Sequence, residues 1–300
     1  MALTLDIETA EAASGTAHGT MPGSTPSARA EKPVAQPRAQ GAVRISTGLR
    51  RGMSRLDTLY QQGSAKVLLP GGAAGTGLEA VLLNTAGGIT GGDRFGYSGS
   101  AGPGATLTLT TQAAERAYRA NGPLPGTVRT DLSAAGGARI DWLPQETILF
   151  DGAHLTRSLE ADLAEDATLL AVEPIIFGRT AMGERLNEIA FSDQWRIRRA
   201  GRLIYADALR LEGDGEALLA RPAAFSGARA MASILYVSAD AEALLSPLRT
   251  LLSGTAGASL IRPGVLAARL LAADGFALRR MLLPALRLLR GGALPKVWTL

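Results

Sequence analysis

The chain has 300 residues, of which 46% are hydrophobic and 19% charged, and it carries a formal net charge of +4 and no cysteine. The length suits one large or two small domains, and the balance of apolar and charged residues predicts a folded chain rather than an intrinsically disordered one. The lack of cysteine excludes disulfide bonds and thiolate metal ligands, and it gives no sign of an oxidising compartment.

Residues 1–40 are rich in alanine, glycine, serine, threonine and proline and show no hydrophobic periodicity. A segment of this composition cannot bury enough apolar surface to offset the entropy that ordering would cost. We therefore predict a disordered leader over residues 1–40 and a single domain over residues 41–300. The ordered part is expected to begin near Gly41, because short apolar runs separated by glycine and proline follow from Ala42 onward.

Strand patterns fill the middle of the chain. In residues 105–111, Leu107 and Leu109 alternate with threonines, and this period of two, with β-branched residues on the other face, predicts a strand. Because turns recur at roughly even intervals from about residue 65 to 237, we expect a mainly β, layered or coiled body. Further strands are predicted at residues 139–142, 147–150, 168–173, 195–199 and 203–205.

Two helices are predicted near the C-terminus. Residues 239–253 place their leucines on one stripe, with Ser238 or Asp240 as the N-cap. A second helix is predicted over residues 274–290, where Pro284 must kink the helix or begin a new one. The core candidates of this second helix are Met281, Leu282, Leu288 and Leu289.

Neither a membrane span nor a secretion signal is visible in the sequence. A transmembrane helix needs ~20 mostly apolar residues, and the leucine-rich stretch 282–289 is interrupted by Pro284 and Arg287. Asp6 and Glu8 stand where a signal peptide would have its basic and apolar segments. We therefore predict a cytoplasmic protein that does not associate with membranes.

Arginine supplies almost all of the positive charge, since only Lys32, Lys66 and Lys296 are lysines. Proteins that bind nucleic acid concentrate basic residues in a patch or stripe, often with aromatic residues between them. In this chain the arginines are spread along the sequence without a dense basic run. The sequence therefore predicts no binding to nucleic acid.

The most unusual segment is glycine-rich: residues 84–95 read NTAGGITGGDRF and include Asp93 and Arg94. A phosphate-binding loop would need Gly-Lys-Ser/Thr before a helix, and a dinucleotide site would need Gly-x-Gly-x-x-Gly between a strand and a helix. Neither pattern is present. We therefore interpret the segment as glycine turns that join two strands.

A second segment, residues 110–119, reads TTQAAERAYR and leaves a strand with charged and aromatic side chains in alternation. Taken alone, Glu115, Arg116 and Arg119 are typical of a solvated face. The alternative is a protein interface that also uses Tyr118, since tyrosine and arginine are enriched where interfaces bind most strongly.

A third segment, residues 142–154, holds two carboxylates and a histidine. Glu146 and Asp151 are separated by an odd offset in an extended segment, which places them on opposite faces and disfavours an acid/base dyad. His154 follows a glycine closely and is expected to be an exposed turn residue. A hydrolase that uses His154 with Asp151 or a nearby serine remains the alternative function.

A fourth segment, residues 173–184, reads EPIIFGRTAMGE. Glu173 lies on an apolar strand, and a charge in such a setting needs a partner. Arg179 is the expected partner, and a structural ion pair between the two is the favoured interpretation. Glu184 supplies a further carboxylate.

Taken together, these segments resemble the urease accessory protein UreD family, also called UreH. The resemblance covers about residues 42–300, although the leader is longer than the family core requires and Ala120 stands where the family pattern leads us to expect serine. It implies a single mainly β, β-helix-like domain with two α-helices near the C-terminus. The matching stretches are residues 84–94, 110–114 with 118–119, 143–152, 177–179 with 181–184, 195–198 with 201–203, and 295–298.

The resemblance also implies a non-catalytic scaffold. Members of the family bind UreF directly, recruit UreG through UreF, and dock on the urease apoprotein for nickel delivery. By carry-over, the candidates for lining or anchoring a weak nickel passage are Glu146, Asp151, Glu173 and Glu184. The candidates for partner-binding or structural motif residues are Asp93, Arg94, Glu115, Tyr118, Arg119 and Arg179.

Nickel binding itself is constrained by the residue types that the chain offers. Ni²⁺ prefers imidazole, thiolate and mixed nitrogen and oxygen ligands, whereas this chain has no cysteine and only one histidine, His154, outside the leader. A tight nickel site within one chain is therefore physically improbable. We expect no tightly bound cofactor and at most a transient Ni²⁺.

Overall fold

The computed structural model describes residues 37–70 and 77–299, and the residues from Arg38 onward form one compact unit. Residues 1–36 of the predicted leader lie outside the described residues. The first strand begins at Gln40, next to the residue at which the sequence predicts order to begin.

The described residues contain seventeen strands, three α-helices and two short 3-10 helices, the latter at Thr180–Met182 and Lys296–Trp298. The α-helices are α1 (Gly215–Ala220), α2 (Ala241–Leu251) and α3 (Gly275–Arg290). The strands are β1 (Gln40–Arg50), β2 (Met53–Gly63), β3 (Ala65–Leu68), β4 (Leu78–Asn84), β5 (Arg94–Ala101), β6 (Thr106–Thr111), β7 (Glu115–Ala117), β8 (Gly126–Ala134), β9 (Arg139–Leu143), β10 (Thr147–Leu149), β11 (Ala153–Leu163), β12 (Thr168–Phe177), β13 (Ile189–Arg199), β14 (Arg202–Gly213), β15 (Ala230–Val237), β16 (Gly257–Arg262) and β17 (Val265–Ala272).

Two sheets face each other. Sheet A has the strand order β14-β13-β11-β8-β5-β1-β2, and sheet B has the order β16-β17-β15-β12-β9-β6-β4-β3, with β7 and β10 attached beside β12. From β4 to β13 the chain passes repeatedly from one sheet to the other, and the central strands within each sheet pair in parallel. Stacked coils of this kind are the β-helix-like body that the sequence predicts, so the predicted fold class is confirmed.

Sheet B is buried on both faces where the helices cover it. In β12, Leu169 and Ala171 belong to the core between the two sheets, whereas Leu170 and Val172 belong to a second core beneath α2 and α3. Every residue of β15 is buried for the same reason. A strand buried on both faces shows a continuous apolar run instead of an alternation.

The predicted strands all exist, but the sequence underestimates several of them. β13 begins at Ile189, several residues before the predicted start at 195, and β14 extends to Gly213 although the prediction ends at 205. The short helix α1 and the hairpin of β16 and β17 were not predicted. The hairpin lies between the two predicted helices and extends sheet B.

Both predicted helices are present. α2 begins after Asp240, and α3 begins after Asp274, whose carboxylate caps the helix by accepting a hydrogen bond from the Ala277 N–H at 2.7 Å. α3 continues through Pro284 as a single helix, so the idea of a new helix at Pro284 is wrong. Of its predicted core residues, Leu282 and Leu289 are fully buried, because they face sheet B. Among the described residues, no helix combines the length and the apolar character that crossing a membrane requires.

Candidate functional site

The separate motifs of the sequence meet on one side of the body. β7 pairs in parallel with β10, and β10 pairs in parallel with the end of β12. The glycine-rich loop joins this ladder through a bridge between Ile89 and Ala117, and the segment after β7 joins through a bridge between Arg119 and Ala153. The exposed or half-buried side chains here form a surface that we call the motif face: Tyr118, Arg119, Phe150, Asp151, Arg179 and Glu184.

An aromatic pair and a cation lie at the centre of the motif face. The Tyr118 and Phe150 rings pack edge to face, with centroids 5.0 Å apart and an interplanar angle of 88°. The Arg179 guanidinium carbon lies 4.2 Å from the centroid of the Phe150 ring, a cation–π contact. The Tyr118 hydroxyl donates a hydrogen bond to the Gly87 carbonyl at 3.2 Å. These contacts hold the three side chains in one arrangement.

Two carboxylates hold the arginines of the motif face. Asp151 pairs with Arg119 and accepts hydrogen bonds from the Asn187 and Glu188 N–H groups at 2.7 and 3.0 Å. Glu184 pairs with Arg179, with Nη2 and Oε1 2.8 Å apart. Burial alone would raise the pKa of Asp151, but the N–H donors and Arg119 hold it below its ordinary value.

The pKa of Glu184 is also lowered, chiefly by its hydrogen bond from Arg179, and the Asp151 N–H contributes to the shift. Both carboxylates are therefore ionised at neutral pH.

The glycine-rich loop connects β4 to β5, as predicted. Gly88 has a φ of +153°, and a Cβ added there would meet the Tyr118 ring at 2.2 Å and the Arg116 carbonyl oxygen at 2.8 Å. Glycine is thus required for the close approach of Tyr118. Asp93 is buried and clamps the loop by accepting from the Thr90 and Ala39 N–H groups, each at 2.8 Å. Arg94 is exposed at the start of β5.

The predicted solvated face at β7 is only partly correct. Arg116 and Arg119 are exposed, but Glu115 is half-buried and accepts a hydrogen bond from the Asn84 side-chain amide at 3.1 Å. The reason is the alternation of β7, which turns Glu115 towards the gap between the sheets while Arg116 faces solvent.

Glu146 lies away from the motif face, beneath α3. Its carboxylate accepts two hydrogen bonds from Arg279, from Nε at 2.6 Å and from Nη2 at 2.9 Å. Arg279 also stacks over the Trp298 ring, with the guanidinium carbon 5.5 Å from the centroid. Glu146 therefore anchors the C-terminal helix. Because Asp151 binds a different arginine, Arg119, the two carboxylates form no acid/base dyad.

The predicted ion pair between Glu173 and Arg179 is wrong. Glu173 lies between the sheets, where its Oε2 is 2.5 Å from Nη1 of Arg157 on β11, and Arg179 pairs with Glu184 at the surface. Glu173 also accepts a hydrogen bond from the Trp142 indole at 2.8 Å. Alternation along β12 turns Glu173 inward, whereas the chain beyond β12 turns outward at Gly178.

The remaining members of this interior cluster, Arg157 and Asp193, were not predicted from the sequence. Arg157 also binds Asp193 on β13, with Nη2 and Oδ2 2.7 Å apart, and both residues are buried. The alternation of β11 could have revealed Arg157, because it occupies the same face of the strand as the buried residues Leu155 and Leu159. Burial raises the pKa of Glu173 to about 7, against the opposing effect of Arg157.

The sequence of this chain matches a known protein family over nearly all of the residues described above. The sequence model of the family described as UreD urease accessory protein matches residues 39–299. This chain belongs to the UreD family. It is 49% identical over 272 residues to a Roseobacter denitrificans protein, covering 91% of this chain and 99% of the relative. It is also 52% identical over 258 residues to a Ruegeria pomeroyi protein, covering 86% of this chain and 100% of that relative.

A Rhizobium rhizogenes protein is 49% identical over 264 residues, which cover 88% of this chain and 96% of the relative. All three relatives carry the name urease accessory protein UreD. UreD relatives are thus named as accessory proteins and not as enzymes, in agreement with the predicted non-enzymatic role.

His154 gives the alternative of a hydrolase no support. It lies within β11 on the outer face of sheet A and is half-buried, so the prediction of an exposed turn residue is wrong. The register places His154 opposite Ala190, and Thr156 opposite Ser192. Within the part of the chain that the structure describes, the His154 side chain takes part in no hydrogen bond, and Asp151 is held by Arg119 and two N–H groups.

The four carboxylates predicted for a nickel passage lie in three places. Asp151 and Glu184 are neighbours on the motif face, Glu146 lies beneath α3, and Glu173 lies between the sheets. Over residues 37–70 and 77–299, no three His, Cys, Asp or Glu side chains are grouped so that they could hold a metal ion. Any nickel bound by these residues would have to be held weakly or with the help of a partner.

Proposed function

We propose that this chain is a scaffold of urease maturation that binds UreF directly, recruits UreG through UreF, and docks on the urease apoprotein so that nickel is delivered. The main support for this proposal is the composition of the motif face. Its tyrosine, phenylalanine and two arginines are the residue types that dominate binding at protein interfaces. Because a backbone ladder and ion pairs already fix these side chains, little entropy is lost when a partner docks.

Nickel is the cargo in this proposal and not a resident cofactor. Glu173 lies in the space between the two sheets and is the proposed lining residue of a passage, together with Asp193. Glu146 has a structural role and fixes the wall of this passage, because its carboxylate pairs with Arg279. Carboxylates and carbonyls bind Ni²⁺ more weakly than imidazole or thiolate does, and weak sites favour release to urease over storage.

The proposed binding to UreF is tested by co-expression of the two proteins. We expect a stable complex with the wild-type chain, a weaker complex with Arg179→Gln, and an unchanged complex with Arg210→Gln. Arg210 is the matched control, because it forms an exposed ion pair with Glu212 and makes none of the contacts described for the motif face. Wild-type protein that stays monomeric and ignores UreF would contradict the proposal.

The proposed role in nickel delivery is tested by measuring urease activation in cells that lack the gene for this chain. The wild-type chain is expected to restore activation, and Glu173→Gln to restore less of it at equal amounts of folded protein. His154→Ala is expected to restore activation fully, whereas a catalytic role of the imidazole would abolish it. The cytoplasmic location predicted from the sequence is tested by fractionation of the same cells.

A further inference from the structure

A cavity of about 180 Å³ opens beside the motif face, between the ends of β4 and β6 and the start of β7. Tyr97 of β5, which is 7% exposed, contributes to its lining from the opposite sheet. Leu82, Ala113 and Ala114 supply apolar walls. Glu115 contributes a carboxylate to the same cavity, which we call the Glu115 pocket.

The Glu115 carboxylate is held in place by uncharged hydrogen-bond donors. Oε2 accepts from the Asn84 side-chain amide at 3.1 Å, and Oε1 accepts from the Arg116 N–H at 3.1 Å. Asn84 is itself fixed, because its amide also donates to the Gly88 carbonyl at 3.0 Å. Burial raises the pKa of Glu115, and the nearby charge of Arg116 offsets this rise only in part. No ion pair joins Glu115 to any residue within 37–70 or 77–299, and the Arg116 side chain is exposed at the rim.

A half-buried carboxylate without an ion-pair partner among the described residues carries a desolvation cost, and a cation that enters the pocket would relieve it. The pocket offers one carboxylate, one phenol and apolar walls, and its other polar lining residues are Asn84, Thr111, Gln112 and Arg116. Ni²⁺ prefers imidazole and thiolate ligands, and the lining contains neither. An arginine side chain fits better, since its methylene stem can lie along Leu82 and the alanines while its planar head pairs with Glu115.

We propose that the Glu115 pocket receives an arginine side chain of a partner protein that docks on the adjacent motif face. Glu115 and Tyr118 are separated by a few residues at β7, so one partner surface can reach both. The inference rests on the proposed scaffold function, because it requires a protein partner. It adds a chemical specificity that the motif face alone does not define.

A small probe tests the pocket without any partner. The full chain is titrated with n-butylguanidinium, with n-butylurea as the uncharged analogue of similar shape, and with NiCl₂, and thermal unfolding is followed. We expect n-butylguanidinium to raise the unfolding midpoint of the wild type and of Glu160→Gln, but not of Glu115→Gln. Glu160 is the matched control, a half-buried carboxylate on the outer face of sheet A. n-Butylurea is expected to have no effect.

Two results of this titration would overturn the inference. One is an equal shift, or none, in the wild type and in Glu115→Gln with n-butylguanidinium. The other is a shift with NiCl₂ alone that disappears in Glu115→Gln, which would assign the pocket to a metal ion.

A photo-crosslinking residue at Gln112, which is exposed at the rim, tests the pocket in cells. We expect crosslinks to an arginine-containing surface of an accessory partner, and an at least tenfold loss of partner capture in Glu115→Gln. The experiments distinguish a failure of the scaffold function from a failure of the pocket inference. If the wild type does not restore urease activation, the scaffold function fails, and the titration still decides the pocket. If the wild type restores activation and Glu115→Gln captures the partner equally well, the pocket inference fails.

Discussion

Arg157 of sheet A and Glu173 of sheet B form an ion pair across the core, with Nη1 and Oε2 2.5 Å apart. Asp193 binds the same guanidinium from a neighbouring strand of sheet A. The three side chains are almost completely buried. Buried charges of this kind persist only when each one has partners, so the cluster joins the two sheets at a defined register.

Removing Arg157 should strongly lower the stability of the folded protein. In Arg157→Met, two buried carboxylates lose their cation, and we expect a loss of about 3–5 kcal/mol in the free energy of unfolding. Arg129→Met is the control, because Arg129 is exposed and pairs with Asp131 at the surface; its expected loss is under ~1 kcal/mol. Urea denaturation measures both. Similar losses in the two variants would show that the interior cluster contributes no more than a surface pair.

The stability of the protein should depend on pH through Glu173. The pKa of Glu173 is raised from 4.5 to about 7, so between these values the folded state holds a proton that the unfolded state has lost. Its contribution to stability is therefore fully present below pH 4.5 and is lost as the pH rises through about 7.

We expect the difference in unfolding free energy between the wild type and Glu173→Gln to fall across this window, with a slope of at most about 1.4 kcal/mol per pH unit. Denaturation curves at several pH values measure it. A difference that does not change with pH would mean that Glu173 is ionised throughout.

Arg279 should be essential for the docking of α3, and its neighbour Arg280 should not. Arg279 binds Glu146 through two hydrogen bonds and packs on Trp298, whereas Arg280 is exposed. Arg279→Met is expected to lose about 1–3 kcal/mol, because Glu146 is left buried without its partner. Arg280→Met should change stability by less than ~0.5 kcal/mol. Amide hydrogen exchange of α3 distinguishes them, and equal protection in both variants would contradict the anchoring role.

Gly88→Ala should disturb the motif face more than Gly87→Ala. Both glycines have positive φ, but an added Cβ at Gly87 meets nothing within 4 Å, whereas at Gly88 it collides with Tyr118. We expect Gly88→Ala to cost roughly 1–3 kcal/mol more and to weaken UreF capture through displacement of Tyr118. Calorimetry and the co-expression assay measure the two effects. Equal behaviour of the two variants would show that Tyr118 adapts freely.

The sequence determined the elements that obey a local period. The alternation of Leu107 and Leu109 with threonines placed β6, and the leucine stripe of residues 239–253 placed α2, because each element repeats a residue type at its own fixed spacing. In β6 the threonines Thr108 and Thr110 are buried too, which the alternation did not indicate. Strands with mixed or exposed faces, such as β14, left a weaker pattern, and their ends were missed. The order of the motifs also determined the family.

Only the tertiary structure decided which charges meet. Glu173 and Arg179 are close in sequence, yet alternation along β12 sends Glu173 inward to Arg157 and leaves Arg179 at the surface with Glu184. Likewise, Glu146 binds Arg279 of the last helix, a partner that no local pattern indicates. Ion pairs form between groups that coiling brings together, and in a body of stacked coils those neighbours come from different turns of the chain. For that reason the sequence identifies the charged residues of the site but not their partners.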